Sequence, residues 1–403
     1  MRRSTRSAFS ALQLWDPKGG IVALDGLRGI AILLVLMRHA AYPVVAANPD
    51  GGGLDSAWFT FMVNGWVGVD LFFVLSGFLI GAHVLRMYER SPHHTFQWGR
   101  YLQNRFLRIV PTYVFVIAWI VAGAVPYYNV GDHELPLRLL YHALFLQDYL
   151  PSNFVVAFWS LGVEEKFYLL APFVLGVGLT WQKHWRYGLV AAVVGIIGLS
   201  VFSRTGLALG QEDVPYQTFF ETFRSPFHHC LDALGMGILA AITFRSGIGT
   251  RLARPAMAIG AVGIIALLSS HQLLGEIAVW DMTLQPTFIS ICFALMVWAA
   301  AHGAGPRWFL ENRLLIINAR LSYPLYLLHM TVIPLAWVLS GAQPSDGIDG
   351  LVAFLPYYLG LAYLGAYGVH LLIEKPFLMI KEKLASVRPA TPSTPTRSQA
   401  ASD

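Results

Sequence analysis

The amino-acid sequence predicts an all-α, polytopic membrane protein with about ten transmembrane helices, and three observations support this. Of its 403 residues, 56% are hydrophobic and only 13% are charged, whereas soluble proteins carry about 25% charged residues. Several windows of about twenty residues hold almost no charge, which is the length a helix needs to cross a bilayer. The basic residues lie between these windows and not in one stripe. The net charge of +5 therefore indicates orientation in a lipid bilayer and not binding to nucleic acid.

Ten windows are long and apolar enough to span the membrane. They lie near residues 21–46, 63–86, 107–126, 158–179, 187–207, 226–244, 256–274, 283–301, 317–340 and 350–373. A further stretch, 136–157, is apolar but short and interrupted, which predicts one short re-entrant or interfacial segment. With a cytoplasmic N-terminus, most Lys and Arg residues fall in cytoplasmic segments, while acidic residues collect in the opposite loops. The positive-inside rule then predicts a multi-pass protein of the cell (inner) membrane with both termini in the cytoplasm.

The transmembrane domain is expected to cover residues 21–376. Residues 1–20 are basic and polar and precede the first apolar run, which predicts a retained cytoplasmic tail. Residues 377–403 are expected to form a second, disordered cytoplasmic tail, since RPATPSTPTRSQAASD offers few apolar side chains for packing. Cys230 and Cys292 lie far apart in apolar segments and are too few for a disulfide framework or a cysteine-based metal site. We expect structural thiols and no metal.

Polar residues inside apolar helices identify candidate chemistry, because burying them in hydrocarbon is costly. In the first helix Arg28 and His39 are eleven residues apart, which places them within about 20° on one face and about 16 Å apart along the axis. Asp25 lies one turn before Arg28 and can hold its guanidinium group. The alternatives are structural, because a lone histidine on an apolar helix more often serves packing. Arg38 points to another side and is expected to snorkel or pack.

Two later segments carry further charged candidates. Arg105 and Arg108 lie one helical turn apart before a membrane helix, and two guanidinium groups on one face suit phosphate binding. Simple anchoring under the positive-inside rule is an equally weighted alternative. The segment FWSLGVEEKFYLLAP places Glu164 near Trp159 at the outer end of a span. One of its two adjacent carboxylates is expected to pair with Lys166 while the other faces the bundle.

Two apolar helices hold uncharged candidates. The late helix in ARLSYPLYLLHMTVIP contains Tyr323 and His329, and Pro324 is expected to kink it. A structural hydrogen-bonding role for His329 is the favoured alternative. In the second helix, Ser76 and Gly77 indicate close helix contact. Ser76 has no base in evident reach along the sequence, so a role as nucleophile is not favoured.

Several ordered motifs together resemble the membrane acyltransferase-3 family. They are LDGLRGIAILLVLMRH, GVDLFFVLSGFLI, RFLRIVP, FWSLGVEEKFYLLAP and SYPLYLLH followed by EKP, and they run from about Leu24 to Pro376. The resemblance implies a ten-helix membrane enzyme that O-acylates carbohydrates or some small molecules with acyl groups carried on coenzyme A. The Arg-x10-His signature of the family corresponds to Arg28 and His39. Some members carry an appended hydrolase-like domain, and we expect none here.

The residues and the resemblance support one mechanism. Acyl-CoA, with acetyl-CoA as the expected donor and no permanently bound cofactor, would place its phosphates on Arg28, Arg105 and Arg108. His39 would act as general base on an acceptor hydroxyl that attacks the thioester, although an acyl-histidine intermediate remains an alternative. Glu164 is expected either to orient His39 or to position the acceptor.

The expected substrate-binding residues are Trp159, Tyr323 and His329. A different function class, a proton-coupled transporter or glycan exporter, shares the buried ionisable groups. The sequence shows no internal repeat of the kind many transporters carry, and transport would not require the Arg-x10-His signature. The acceptor, the length of the acyl chain and the oligomeric state do not follow from the sequence.

Overall fold

The computed structural model describes residues 21–48, 54, 56–90, 98–131, 133–150, 154–179, 185–247, 249–270 and 276–386. Within these ranges the chain is almost entirely helical, which confirms the all-α class. Two strands of two residues each, β1 (Val214–Pro215) and β2 (Glu276–Ile277), form one antiparallel pair. The expected tail at 1–20 and the end of the second tail, 387–403, lie outside the described residues.

Seventeen α-helices occur in the described part of the chain. They are α1 (Val22–Ala47), α2 (Ala57–Val63), α3 (Gly68–Arg90), α4 (Trp98–Val121), α5 (Leu135–Ala143), α6 (Trp159–Leu179), α7 (Trp185–Ala208), α8 (Tyr216–Phe219), α9 (Leu231–Arg245), α10 (Ala253–Ser270), α11 (Val279–Thr283), α12 (Gln285–Ala301), α13 (Arg307–Leu310), α14 (Arg313–Leu328), α15 (Ile333–Ser340), α16 (Gly347–Val369) and α17 (Lys375–Ser386). Two single π-helical turns, Phe220–Arg224 and His370–Glu374, follow α8 and α16.

Helices occupy all ten windows in which the sequence predicts a span. Six helical stretches are long and apolar enough to cross a membrane by themselves, and α14 with α15 would make a seventh. They begin at Val22, Ala57, Trp98, Tyr187, Thr250 and Pro344. Helices α9 and α12 are shorter, with 15 and 17 residues. The chain is therefore a multi-pass membrane protein, and the count of ten spans stays a prediction.

Helix α14 and helix α15 form one broken span. Their axes meet at 91°, with the break between Leu328 and Ile333. Pro324, which was expected to kink this segment, lies inside α14, and the chain turns four residues later. The break instead precedes Pro334, which occupies the first turn of α15, where a missing N–H costs no hydrogen bond.

The expected interfacial stretch 136–157 forms no span of its own. It contains the nine-residue helix α5, a series of turns and the start of the 3-10 turn Val156–Phe158. Arg138, which belongs to α5, donates to the backbone oxygens of Val130, Gly131 and His133 and so ties the helix to the preceding loop.

The segment after residue 376 differs from its expectation, because residues 375–386 are helical. Helix α17 packs against α4, with Phe377 and Leu378 half-buried. These apolar side chains give the segment the packing surface that its last, Pro- and Ser-rich residues lack. The expected disorder is wrong for residues 377–386.

Small residues let the central helices approach closely. A Cβ added to Gly29 would come within 2.2 Å of the Leu315 backbone oxygen, so α1 and α14 touch backbone to backbone. Gly77 of α3 and Gly237 of α9 face each other in the same way, since a Cβ on Gly77 would lie 2.1 Å from the Leu234 oxygen. Such contacts are typical of packed membrane helices. They hold α1, which carries Arg28 and His39, directly against α14, which carries Tyr323.

Candidate active site

Two pockets lie toward opposite ends of α1. The first, here called the arginine pocket, has a volume of about 380 Å³. Four cations line it: Arg28, Arg105, Arg108 and Lys381. Three of these are the residues that the sequence assigned to phosphate binding. Lys381 was missed, because it belongs to the segment expected to be disordered.

Separate helices position the cations of the arginine pocket. The Arg28 guanidinium lies 3.5 Å from the carboxylate of Asp25, one turn earlier on α1, as the spacing predicts. Arg105 of α4 lies over the ring of Tyr168, 4.5 Å from its centroid, and 5.8 Å from that of Tyr101. Cation–π contacts of this kind hold a guanidinium in place while its N–H groups stay available to a ligand.

A carboxylate and two hydroxyls form a hydrogen-bonded group in the same pocket. Ser76 of α3 donates to Oε1 of Glu164 at 3.0 Å, and the Tyr168 hydroxyl donates to Oε2 of Glu164, also at 3.0 Å. All three residues line the arginine pocket. Glu164 therefore contacts Ser76 and Tyr168 and not His39. Ser76 does have a carboxylate in reach, supplied by a helix that is distant in sequence.

The expectation that one of the adjacent carboxylates, Glu164 or Glu165, pairs with Lys166 is wrong, because Lys166 forms its ion pair with Asp148. Its ammonium group contacts the carboxylate of Asp148 and the backbone oxygen of Phe145, in the loop after α5. Burial raises the pKa of Asp148, and the contact with Lys166 acts against that shift. The pair fastens this loop to α6, and Asp148 lines the second pocket.

The second pocket, here called the histidine pocket, has a volume of about 280 Å³. His39 and Arg38 of α1 line it together with Trp159. Its remaining aromatic wall comprises Tyr42, Tyr149, Tyr216 and Phe220, and polar side chains come from Gln147, Gln217 and Glu221. Aromatic rings beside amide and carboxylate groups are the surfaces that sugars commonly contact.

His39 lies against a second histidine. Its Nδ1 is 2.9 Å from the backbone oxygen of Val35 and 3.2 Å from Nε2 of His329. The two rings meet edge to face, with centroids 4.8 Å apart. His329 sits in the break after α14, between Tyr326, which lines the arginine pocket, and Met330, which lines the histidine pocket. The sequence treated His39 and His329 as separate candidates, because 290 residues separate them.

Arg38 is a buried member of the histidine pocket, with 3% of its surface exposed. It donates to the Val63 backbone oxygen at 3.1 Å, and its guanidinium lies 5.1 and 5.4 Å from the ring centroids of Tyr42 and Tyr216. The expected snorkelling role does not fit, because the charge is enclosed by protein. A cation in contact with two aromatic rings instead lies beside His39 in this pocket.

Trp159 is fixed by a buried ion pair. Arg224, on the π-turn after α8, donates two hydrogen bonds of 2.8 Å to the carboxylate of Asp70. Its guanidinium lies between the rings of Trp66 and Trp159, at 5.1 and 5.3 Å. Trp159 lines the histidine pocket, while the next residue, Ser160, lines the arginine pocket. The first turn of α6 therefore separates the two pockets.

Tyr323 and Tyr326 connect α14 to the walls of the arginine pocket. The Tyr323 hydroxyl donates to the backbone oxygen of Ile109 at 2.8 Å, which ties α14 to α4. The Tyr326 hydroxyl lies 2.6 Å from Ser160 Oγ and donates to the Ala157 oxygen at 2.7 Å. Tyr323 thus lines the pocket with its ring, while its hydroxyl is hydrogen-bonded to the backbone oxygen of Ile109.

The chain is a multi-pass membrane protein whose helices enclose one cation-lined and one histidine-lined pocket. The chain belongs to the acyltransferase domain family, acyltransferase 3, which it matches over residues 21–370. This confirms the resemblance drawn from the motifs.

Three similar proteins agree with the assignment to this family. The chain is similar to the peptidoglycan O-acetyltransferase OatA of Listeria monocytogenes, with 26% identity over 81% of this chain and 51% of the relative. A putative O-acetyltransferase of Staphylococcus aureus (strain COL) is 24% identical over 92% of this chain and 59% of that protein. The O-acetyltransferase OatA of Staphylococcus aureus is 23% identical over 77% and 50%. The chain thus spans between half and three fifths of these relatives. No solved structure matches it.

Proposed function

We propose that the protein is a membrane O-acetyltransferase that moves an acetyl group from acetyl-CoA to a hydroxyl of a carbohydrate or glycosylated acceptor. The observation that carries this proposal is the pair of pockets, one with four cations and one with His39, at opposite ends of one helix. The names of the relatives, which include peptidoglycan O-acetyltransferase, support acetyl as the group and carbohydrate as the acceptor class.

The arginine pocket suits the nucleotide end of the donor. Arg28, Arg105 and Arg108 offer guanidinium groups for phosphate oxygens, and Lys381 adds a fourth cation. The arm of coenzyme A separates its phosphates from its thioester, which fits the position of Arg28, about 16 Å from His39 along α1. Glu164 holds Ser76 and Tyr168 in the wall along which that arm would lie.

The histidine pocket suits the acceptor. Trp159, Tyr42 and Tyr216 offer ring faces for a sugar, and His39 lines the same space. His39 takes the proton of an acceptor hydroxyl, whose oxygen attacks the thioester carbonyl carbon. The carbon–sulfur bond then breaks, and the departing thiolate of coenzyme A takes the proton from His39. The thioester of the donor and the hydroxyl of the acceptor come together at the boundary between the two pockets. The first turn of α6 and the break after α14 form that boundary.

The topology is part of the proposal. We place the Arg28 end of α1 at the cytoplasmic side, where coenzyme A is found, and the His39 end toward the outside, with ten spans and both termini in the cytoplasm. The positive-inside count supports this orientation. It would let a cytoplasmic donor modify an acceptor on the other side of the inner membrane.

A transporter remains the second candidate, because two pockets at opposite ends of a bundle also suit alternating access. The two functions differ in whether a covalent bond forms. Native membranes that contain the protein are supplied with acetyl-CoA labelled in the acetyl group, and the glycan fraction is analysed by mass spectrometry. We expect base-labile acetyl esters that are missing from membranes without the gene. Solute movement without any new ester would favour the transporter.

A further inference from the structure

The contacts of the two histidine rings determine where their protons lie. Nδ1 of His329 lies 2.8 Å from the backbone oxygen of Tyr326 and 3.1 Å from that of Leu325. A backbone oxygen only accepts hydrogen bonds, so this Nδ1 carries a proton. In the neutral ring, Nε2 of His329 is therefore an acceptor, and it points at Nδ1 of His39.

The same argument applies to His39. Its Nδ1 lies 2.9 Å from the Val35 oxygen, which again only accepts, so this nitrogen also carries a proton. The proton is shared between the Val35 oxygen and Nε2 of His329, at 3.2 Å. Nε2 of His39 is then left with a free lone pair. The described residues provide no hydrogen-bond partner for that nitrogen, and the ring lines the histidine pocket.

The broken span explains why His329 can take this position. The regular helical hydrogen bonds of α14 end at this break: the Leu325 oxygen still accepts from the His329 N–H, and the Leu328 oxygen accepts from the Thr331 N–H. The His329 side chain donates from Nδ1 to the Tyr326 oxygen. Its ring is fully buried, with 0% exposed, so water does not compete for these contacts.

We propose that His329 is a positioning residue for His39 and not a substrate-binding residue. It holds His39 in the tautomer whose Nε2 can accept a proton from the acceptor hydroxyl. When His39 gains that proton, both of its nitrogens carry hydrogen, and the Nδ1–H still donates to Nε2 of His329. A fixed acceptor at this position stabilises the charged ring during the reaction, as the third group of a catalytic triad does. This inference rests on the proposed function.

Two substitutions separate positioning from packing. His329→Leu keeps an apolar volume but removes the acceptor, while His329→Gln keeps an acceptor oxygen at about the reach of Nε2 and an amide that can donate to the Tyr326 oxygen. We expect His329→Leu to lower kcat about ten- to a hundredfold with the donor KM little changed, which is the scale for a lost buried hydrogen bond. His329→Gln should recover much of that loss. His302→Leu is the matched control, because His302 packs against Phe244 and Trp298 outside both pockets.

A second measurement reads the rings directly. Purified protein labelled with ¹⁵N-histidine and held in lipid nanodiscs is compared by NMR with His39→Ala and His329→Leu, which assign the two rings. We expect protons on Nδ1 and none on Nε2 for both histidines. The His39 signals should shift in His329→Leu and return toward the unsubstituted protein in His329→Gln.

Three results would overturn the inference. They are equal activity losses for the Leu and Gln variants, a raised acceptor KM with unchanged kcat in both, and His39 signals that do not respond to position 329. The spectra do not depend on the acetyl acceptor, so a protein that shows the expected tautomers but forms no acetyl ester would contradict the proposed function alone.

Discussion

The two pockets differ in how they hold their charged and polar groups. In the arginine pocket, the cations come from three helices, with Asp25 beside Arg28 and tyrosine rings beside Arg105. In the histidine pocket, His39 is held by a backbone oxygen and a buried second histidine, which leave one defined nitrogen available. The first arrangement suits binding of a large charged donor, and the second suits transfer of a single proton. The comparison indicates that one helix, α1, keeps binding and chemistry apart.

The largest effect is expected at His39. His39→Ala should abolish acetyl transfer, because a general base contributes about a hundredfold to ten-thousandfold in rate. Protein level and membrane insertion should stay near those of the unsubstituted protein, since the ring borders the open space of the histidine pocket. The assay is ester formation in native membranes, with His302→Ala as control. If the His39→Ala variant kept more than a few per cent of the activity, His39 would not be the general base.

The next largest effect is expected on stability, at the Asp70–Arg224 ion pair that contacts Trp159. Asp70→Asn leaves the buried Arg224 without a charged partner, and breaking such a pair costs about 3 to 5 kcal/mol. We expect a large fall in the thermal unfolding temperature of the detergent-solubilised protein. Replacing both residues together, Asp70→Leu with Arg224→Met, should cost less than the single change. A single variant as stable as the unsubstituted protein would show that the pair does not hold the wall between the pockets.

A smaller effect is expected at Lys381 of α17. Lys381→Gln removes one cation from the arginine pocket and should raise the donor KM about three- to tenfold, since a partly exposed charge contributes about 1 kcal/mol. Lys383→Gln, an exposed position on the same helix, is the matched control. An unchanged donor KM for Lys381→Gln would place the phosphates on the three arginines alone.

The orientation of the pockets relative to the membrane can be tested with single-cysteine variants that should leave the activity almost unchanged. Single cysteines at Thr250 and Gln211, both exposed, should react with an impermeant thiol reagent from opposite sides of the membrane. The position 250 cysteine should label only from the cytoplasm, and the position 211 cysteine only from outside. Cys230 and Cys292 are buried and should stay silent. Labelling of both new cysteines from one side would reject the alternating arrangement of spans.

Much of the fold followed from the sequence, because hydrophobic windows and helix periodicity are local properties. They located every long helix and placed Arg28 and His39 on one face at two depths. The contacts that complete the pockets are not local. His329 meets His39, Glu164 meets Ser76, and Asp70 meets Arg224 across separations of 290, 88 and 154 residues.

The large bend of the late span lies at the break before Pro334, and a kink at Pro324 within α14 stays a prediction. One local expectation failed for a physical reason. The start of the second tail is helical because Phe377 and Leu378 have α4 to pack against, which the sequence alone did not reveal. That packing brings Lys381 to the arginine pocket. Because the segment was expected to be disordered, the sequence did not identify Lys381 as a candidate donor-binding residue.

The separation of donor binding from chemistry is tested most directly by comparing two donors in one set of variants. Acetyl transfer is measured with acetyl-CoA and with a short acetyl thioester that lacks the nucleotide phosphates, each at limiting and saturating concentration. Arg105→Gln and Arg108→Gln should lose about ten- to a hundredfold in apparent affinity for acetyl-CoA and much less for the short thioester. His39→Ala should lose turnover equally with both donors. Equal losses with both donors in the arginine variants would contradict the account, because those residues would then serve the helix and not the phosphates.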